Sequence, residues 1–247
     1  MCAIYAFMRR SDDIADGAAN PAVALEGLRQ WRAQVDEALR GDEAADPILP
    51  ALADTVRRYA IPLHHFHELL DGTEMDQTAT RYATFDDLYK YCYRVASAVG
   101  LVVLPVFGYK DKAALTPAEA CGIAFQLTNI LRDVKEDARM GRIYLPLEDL
   151  DKFGVSEDDI MTGQTTPQFM ELMKFEAARA HEFYEKAKPL LKMIDADSRG
   201  TLAVMIGIYG GILQKIEESN FAVFDSRIRL SAAEKLWIVA KNWGRKW

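Results

Sequence analysis

Apolar residues recur at three- and four-residue spacing through nearly every segment of this chain, and no run of alternating β-branched residues is long enough for a sheet. Such a pattern buries one stripe of a helix against another helix, so the expected fold class is all-α. Helices are predicted over residues 2–17, 21–40, 48–60, 63–72, 84–108, 116–138, 168–196, 199–220 and 231–243. Asn20-Pro21, Thr116-Pro117 and Thr166-Pro167 read as start signals, because a side-chain acceptor caps the first free N–H groups and proline suits the first turn. Pro105 falls inside an apolar helix and is expected to kink it. The aperiodic segment 141–164 is expected to be a surface connection with short helical turns. No linker or break in composition divides the chain, so a single domain over 1–247 is expected.

Charge and cysteine content narrow the chemistry. Thirty Lys+Arg against 37 Asp+Glu leave a net charge of −7, which argues against a nucleic-acid partner. Cys2, Cys92 and Cys121 are odd in number and show no CxxC spacing, so neither a disulfide framework nor a zinc site is expected, and a reducing, cytoplasmic setting fits. The most apolar run, Val95 to Phe107, is shorter than the ~20 residues that span a bilayer, so no membrane span is expected. His64, His65 and His67 have no correctly spaced third ligand and read as helix contacts.

Two acidic stripes carry the functional signal. Asp12 and Asp16 lie four apart and share a helix face with Arg9 and Tyr5; Asn129, Asp133 and Asp137 follow one another at four-residue steps on a second, strongly apolar helix. Like charges at that spacing destabilise a helix, so something must compensate them. Facing each other across a helical cavity, the stripes would form a cage of carboxylate oxygens, which hard Mg²⁺ prefers and which it commonly bridges to phosphates. Arg9 and Arg132, one beside each stripe, suit a diphosphate clamp.

With YAFMRRSDDIAD (5–16), EMDQTATRYATFDDLYKYCYRVASAVG (74–100) and GIAFQLTNILRDVKEDARMGRIYLP (122–146), the chain resembles the squalene/phytoene synthase family of head-to-head prenyl transferases from Tyr5 to about Trp237. The resemblance implies an isoprenoid-synthase-type helical bundle with a central cavity. It implies Asp12, Asp16, Asp133 and Asp137 as Mg²⁺ ligands. Arg9, Gln126, Asn129, Arg132, Arg142 and Tyr144 would bind substrate diphosphate, and Tyr5 and Tyr91 would line the reaction centre. Phe7 and Phe125 are further cavity candidates, since aromatic faces stabilise cations.

The implied reaction is condensation of two allylic prenyl diphosphates. Two farnesyl diphosphates leading through presqualene diphosphate to a squalene-type product are the first expectation, with NADPH as hydride donor if that product is squalene. Two geranylgeranyl diphosphates leading to phytoene are the alternative, followed by a terpene cyclase and a noncatalytic helical assembly factor. Relatives usually carry a segment ahead of the first acidic motif that helps close the site, and this sequence starts almost at that motif. An apolar product leads to the expectation of transient contact with a membrane surface, with 84–108 and 203–213 walling the exit.

Overall fold

The computed structural model describes residues 1–42 and 46–242. Its helices are α1 (Cys2–Asp16), α2 (Pro21–Arg40), α3 (Leu49–Tyr59), α4 (His64–Thr78), α5 (Phe85–Cys92), α6 (Ala98–Phe107), α7 (Leu115–Arg139), α8 (Leu147–Phe153), α9 (Glu157–Thr162), α10 (Pro167–Ala187), α11 (Leu190–Met193), α12 (Ala196–Glu218) and α13 (Ala232–Asn242). A π-helical turn, Tyr93–Ser97, joins α5 to α6, and a 3₁₀ turn, Lys112–Ala114, runs into α7. Among the described residues there is no strand, only isolated bridges pairing Arg81 with Ile143 and Tyr109 with Ile194.

Start signals explain two of the three predicted caps. Asn20 Oδ1 accepts from Val23 N at 3.1 Å, and Thr166 Oγ1 from Phe169 N at 3.0 Å. Thr116 caps nothing, because the 3₁₀ turn is capped by Asp111, whose Oδ1 accepts from Ala113 N at 2.8 Å, and α7 grows directly from it. Other departures have local causes. α4 continues past Gly72 to Thr78, and the predicted 168–196 helix stops at Ala187 before Pro189. Pro105 sits in the last turn of α6, so the irregularity of this long helix lies instead at the π turn. The segment after α7 is not a surface connection throughout: Ile143, Tyr144, Leu145 and Pro146 are buried. Residue 243, the end of the last predicted helix, lies outside the described residues.

Phe85–Phe107 forms 23 continuous helical residues, long and apolar enough to cross a membrane by length and composition. The expectation of no such helix missed it because the helix starts ten residues before the apolar run. Here the helix packs between α4 and α7 and divides two cores. Ala98 and Val102 join Ile4, Phe7, Trp31, Val35 and Phe66 in a core made by α1–α4. Leu101 and Leu104 join Ile123, Leu127 and Leu131 of α7 and Leu172 of α10 in the larger core. Two glycines permit the close passage. A Cβ on Gly122 would stand 2.4 Å from Ser97 Cα and 2.6 Å from Ser97 N, and one on Gly72 would stand 3.0 Å from Arg94 Cβ. Ser97 Oγ also donates to Glu119 O at 2.7 Å, which bolts the π turn to α7.

A second brace lies inside the larger core. Arg179 Nη1 donates to both oxygens of Glu176, at 2.6 and 2.7 Å, and to Asp149 Oδ2 at 2.8 Å, while its guanidinium lies 4.0 Å from the Phe85 ring centroid. Burial, only partly offset by Arg179, pushes the Glu176 carboxyl up to about 8. A folded-state value above the unfolded 4.5 means that the folded chain binds this proton more tightly, so stability falls as pH rises from about 4.5 through about 8. Glu176→Gln should flatten that part of a chemical-denaturation pH profile, whereas Arg179→Met, which strands two carboxylates, should lower stability by about 3–5 kcal/mol. Gly122→Ala should destabilise by about 1–3 kcal/mol, because the obstruction is backbone. Gly200, with nothing within 4 Å of an added Cβ, is the matched control, and Gly200→Ala should leave the melting temperature unchanged or raised.

Candidate active site

α1 turns its apolar face, Ile4, Phe7, Ser11 and Ala15, into the first core. Trp31 Nε1 donates to Ser11 Oγ at 3.1 Å and Ser11 Oγ to Phe7 O at 3.0 Å, which fixes the rotation of the helix. Asp12 therefore faces a cavity of about 180 Å³ whose walls include Phe7, Leu69, Asp76, Val95 and Val99. Asp16, one turn on, is exposed, as Asp12 is over the rest of its surface. Burial first, then Asp16, raises the Asp12 carboxyl above its usual range, with Asp13 and Asp76 adding to the shift and Arg9 opposing it.

The second stripe lies on α7. Gly141, at φ +75°, ends this helix: Gly141 N donates to Ala138 O at 2.9 Å and Arg142 N to Asp137 O at 2.9 Å, so the turn delivers Arg142 beside Asp137. Asp133 is gripped from both sides. Arg132 Nε donates to its Oδ1 at 2.8 Å and Arg132 Nη2 to its Oδ2, while Arg227, from the segment between α12 and α13, donates to the same two oxygens at 2.9 Å each. Asp137 has no such partner. Burial, followed by the charge of Asp133, pushes it up to about 7, and Asp76 and Glu136 add to the shift. Glu136 Oε2 is buried with no hydrogen-bond partner.

Asp76, near the end of α4, is the junction. Its Oδ1 accepts from Tyr91 Oη and from Tyr144 Oη, both at 2.8 Å, and its backbone oxygen accepts from Arg142 Nη2 at 2.7 Å. Its charge acts on both Asp12 and Asp137, so the two acidic walls share one electrostatic space. The rings of Tyr82, Tyr91 and Tyr144 stand 5.2–5.8 Å apart between centroids, and burial raises all three phenols. The segments carrying them run in parallel: Ile143 N donates to Thr80 O and Leu147 N to Tyr82 O, both at 2.9 Å, and Arg81 Nη1 donates to Gly141 O at 2.7 Å.

Asp76 thus joins Tyr91, Tyr144 and Arg142 at the seam between the two cores, with Asp12 on the wall of the same cavity as Asp76 and Asp137 beside Arg142 and Tyr144. Asn129 Nδ2 donates to Gln126 Oε1 at 3.2 Å, one to two turns ahead of Asp133 on the same helix. Phe125 stacks on Tyr209 at 4.2 Å, and Phe7 packs against Trp31 and Phe66. Two expected residues are not drawn in. Tyr5 shares the face of Asp12 but lies two turns nearer the start of α1 and is 66% exposed, so it does not line an enclosed centre. Arg9 pairs with its i,i+4 neighbour Asp13 at 2.8 Å on the surface. The histidines behave as helix contacts: His67 Nε2 bonds Asp36 Oδ1 at 2.7 Å and ties α4 to α2. Asp76, Tyr82 and Arg227 escaped the sequence reading. EMDQT was visible as a motif, but the early end assigned to α4 left Asp76 without a helix face.

The donor set fits a hard divalent cation. The acids at the seam exceed the arginines, two of which are spent on Asp133 alone, and an orphaned oxygen on Glu136 lies beside Asp137. No three carboxylates converge among the described residues, and Mg²⁺ commonly takes only one or two protein carboxylates alongside water and phosphate.

The squalene/phytoene synthase family matches residues 1–234, and the chain belongs to that family of prenyltransferases. It is 39% identical to phytoene synthase 1, chloroplastic, of Arabidopsis thaliana, over 95% of this chain and 57% of that protein. It is 38% identical to the phytoene synthase of Arthrospira platensis, over 95% of this chain and 80% of that one. The structure superposes on a crystal structure of a dehydrosqualene synthase with a TM-score of 0.88 and 34% identity, covering 97% of this chain and 83% of that one. A squalene synthase from Alicyclobacillus acidocaldarius gives a TM-score of 0.84 at 29% identity, covering 89% and 82%. The all-α bundle expected from periodicity is therefore the fold of this family.

Because Tyr91 and Tyr144 share one acceptor oxygen, Tyr91→Phe and Tyr144→Phe should each lower stability by about 1–3 kcal/mol. Their double variant should lose less or more than the sum by at least ~0.5 kcal/mol in urea denaturation, whereas additive losses would show that Asp76 does not couple them.

Proposed function

We propose that this chain condenses two allylic prenyl diphosphates head to head, and that its substrate is geranylgeranyl diphosphate, giving phytoene. The observation that carries the reaction is the seam itself, where Asp76 lines one cavity with Asp12 and accepts, through its backbone oxygen, from the Arg142 that stands beside Asp137. The curated relatives, phytoene synthases at 37–39% identity, favour the longer substrate over the farnesyl diphosphate first expected from the sequence. Closure by proton loss needs no hydride donor, so NADPH drops out of this reading. A farnesyl reading keeps two supports, the likeness to a dehydrosqualene synthase structure and to a squalene synthase structure. Family membership weighs against the cyclase reading.

Mg²⁺, held by Asp12 and Asp16 on one wall and Asp133 and Asp137 on the other, would supply positive charge to the departing diphosphates. Arg142 adds a guanidinium donor suited to diphosphate oxygens, and Arg132 and Arg227, which grip Asp133 here, would join it on releasing that carboxylate to the metal. The cavity below Asp12, walled in part by Phe7, Leu69, Val95 and Val99, offers apolar surface to a prenyl chain. Tyr91, Tyr82 and Tyr144 present ring faces that stabilise positive charge, and Asp76 holds the hydroxyls of Tyr91 and Tyr144 in place.

Incubation with Mg²⁺ and geranylgeranyl diphosphate should yield a forty-carbon hydrocarbon with release of two diphosphates per product, read by mass spectrometry. A thirty-carbon product from farnesyl diphosphate alone would transfer the proposal to the shorter substrate, and a ring from a single farnesyl unit would end it. Asp12→Ala should cut diphosphate release by ~100-fold or more. Its melting temperature should hold, because the change also removes like-charge repulsion against Asp16.

A further inference from the structure

α13 wears its amphipathicity inside out. Its inner edge seats on α12: a Cβ on Gly207 would stand 2.7 Å from Ile238 Cγ2, and Asn242 is buried with its Nδ2 donating to Ile238 O at 2.8 Å. By helical periodicity the opposite face carries Ala232, Ala233, Leu236, Trp237 and Ala240, all exposed. Leu236 and Trp237, each 68% exposed, are the most exposed large apolar side chains among the described residues. A surface helix normally turns polar residues that way. Exposed Lys235 and Lys241 flank the strip, and neither pairs with an acid among the described residues. The helix's single acid, Glu234, is neutralised by Lys215 Nζ at 2.9 Å. Trp237 also stands at the rim of a groove of about 520 Å³ between α12 and α13, lined by Ile206, Gly207, Gly211, Leu230 and Ile238.

We propose that this face of α13 docks on a lipid bilayer containing anionic headgroups, with Leu236 and Trp237 entering the interface and Lys235 and Lys241 meeting the headgroups. Charge decides the occupant. The chain is acidic overall at −7, yet this helix presents uncompensated lysines around an apolar strip, and the sequence that follows adds Trp243, Arg245, Lys246 and Trp247. Leu and Trp rimmed by Lys is the composition of helices that lie in a membrane interface. A second copy fits poorly, since a symmetric contact would bring lysine-flanked strips together. The surface stands on exposure and charge; only its purpose, a lipid destination for an apolar product, rests on the function proposed above. It moves the expected membrane contact from 84–108 and 203–213 to α13.

Co-sedimentation of the full chain with vesicles of phosphatidylcholine alone, and of equimolar phosphatidylcholine and phosphatidylglycerol, tests this without any turnover. Binding should require phosphatidylglycerol and weaken with salt. Leu236→Glu with Trp237→Glu should weaken it by ~tenfold or more, at an unchanged melting temperature. Lys235→Ala with Lys241→Ala, confined to surface positions, should weaken it by about tenfold and keeps the test decisive if the first pair disturbs α13. Equal binding by both double variants, indifference to phosphatidylglycerol, or a concentration-dependent dimer abolished by Leu236→Glu would overturn the proposal. Vesicle binding with no prenyl transfer would sink the proposed function and leave the docking surface standing.

Discussion

The close passage of one helix between two others sets the geometry of this molecule. The π turn at Tyr93–Ser97 is pressed between Gly72 of α4 and Gly122 of α7, with Ser97 backbone where any larger residue at position 122 would place its Cβ. α4 carries Asp76 and α7 carries Asp133 and Asp137. The separation of these helices is set by a close approach on both sides, bare backbone of Ser97 against Gly122 and the side-chain roots of Arg94 and Val95 against Gly72. A π turn is a rare element that often marks a functional site. In this chain it lets Tyr91, before the turn, reach Asp76 while Val95 and Val99, within and after it, line the cavity.

Around that spacer the chain accumulates charge that would be unfavourable in an ordinary core. Asp12 and Asp137 are both raised, Glu136 has an orphaned oxygen, and Asp133 needs two guanidinium groups. Proteins break local rules of polar satisfaction mainly where function requires it. The contrast with the Glu176–Arg179–Asp149 group is instructive. There three charges close on one another through short hydrogen bonds, with aromatic rings over the cation, and nothing is left for a ligand.

Helical periodicity made the all-α class and the limits of α2 and α7 legible to within a residue or two, because those helices bury a continuous stripe. The faces shared by Asp12 with Asp16, and by Asp133 with Asp137, follow from four-residue spacing. What periodicity could not show is where helices cross. Gly72 resembles a helix terminus on paper; in the structure it is a contact point, and the misreading hid Asp76. Arg227 lies in an irregular segment, where no period predicts neighbours, and the π turn leaves no pattern in residue type. Exposure was equally invisible: Tyr5 and Arg9 share a helical face with Asp12 but remain in solvent.

The parallel pairing of residues 80–83 with 143–148 constrains how such a chain can vary over evolution. Thr80, Tyr82 and Ala83 each accept from a fixed partner, so Tyr82 and Tyr144 hold one register with respect to Asp76. Inserting or deleting one residue on either side of this pairing would turn an aromatic ring away from the seam, even though both segments lie outside any long helix. Loop length, usually the most permissive quantity in a helical bundle, is therefore held here by the pairing itself.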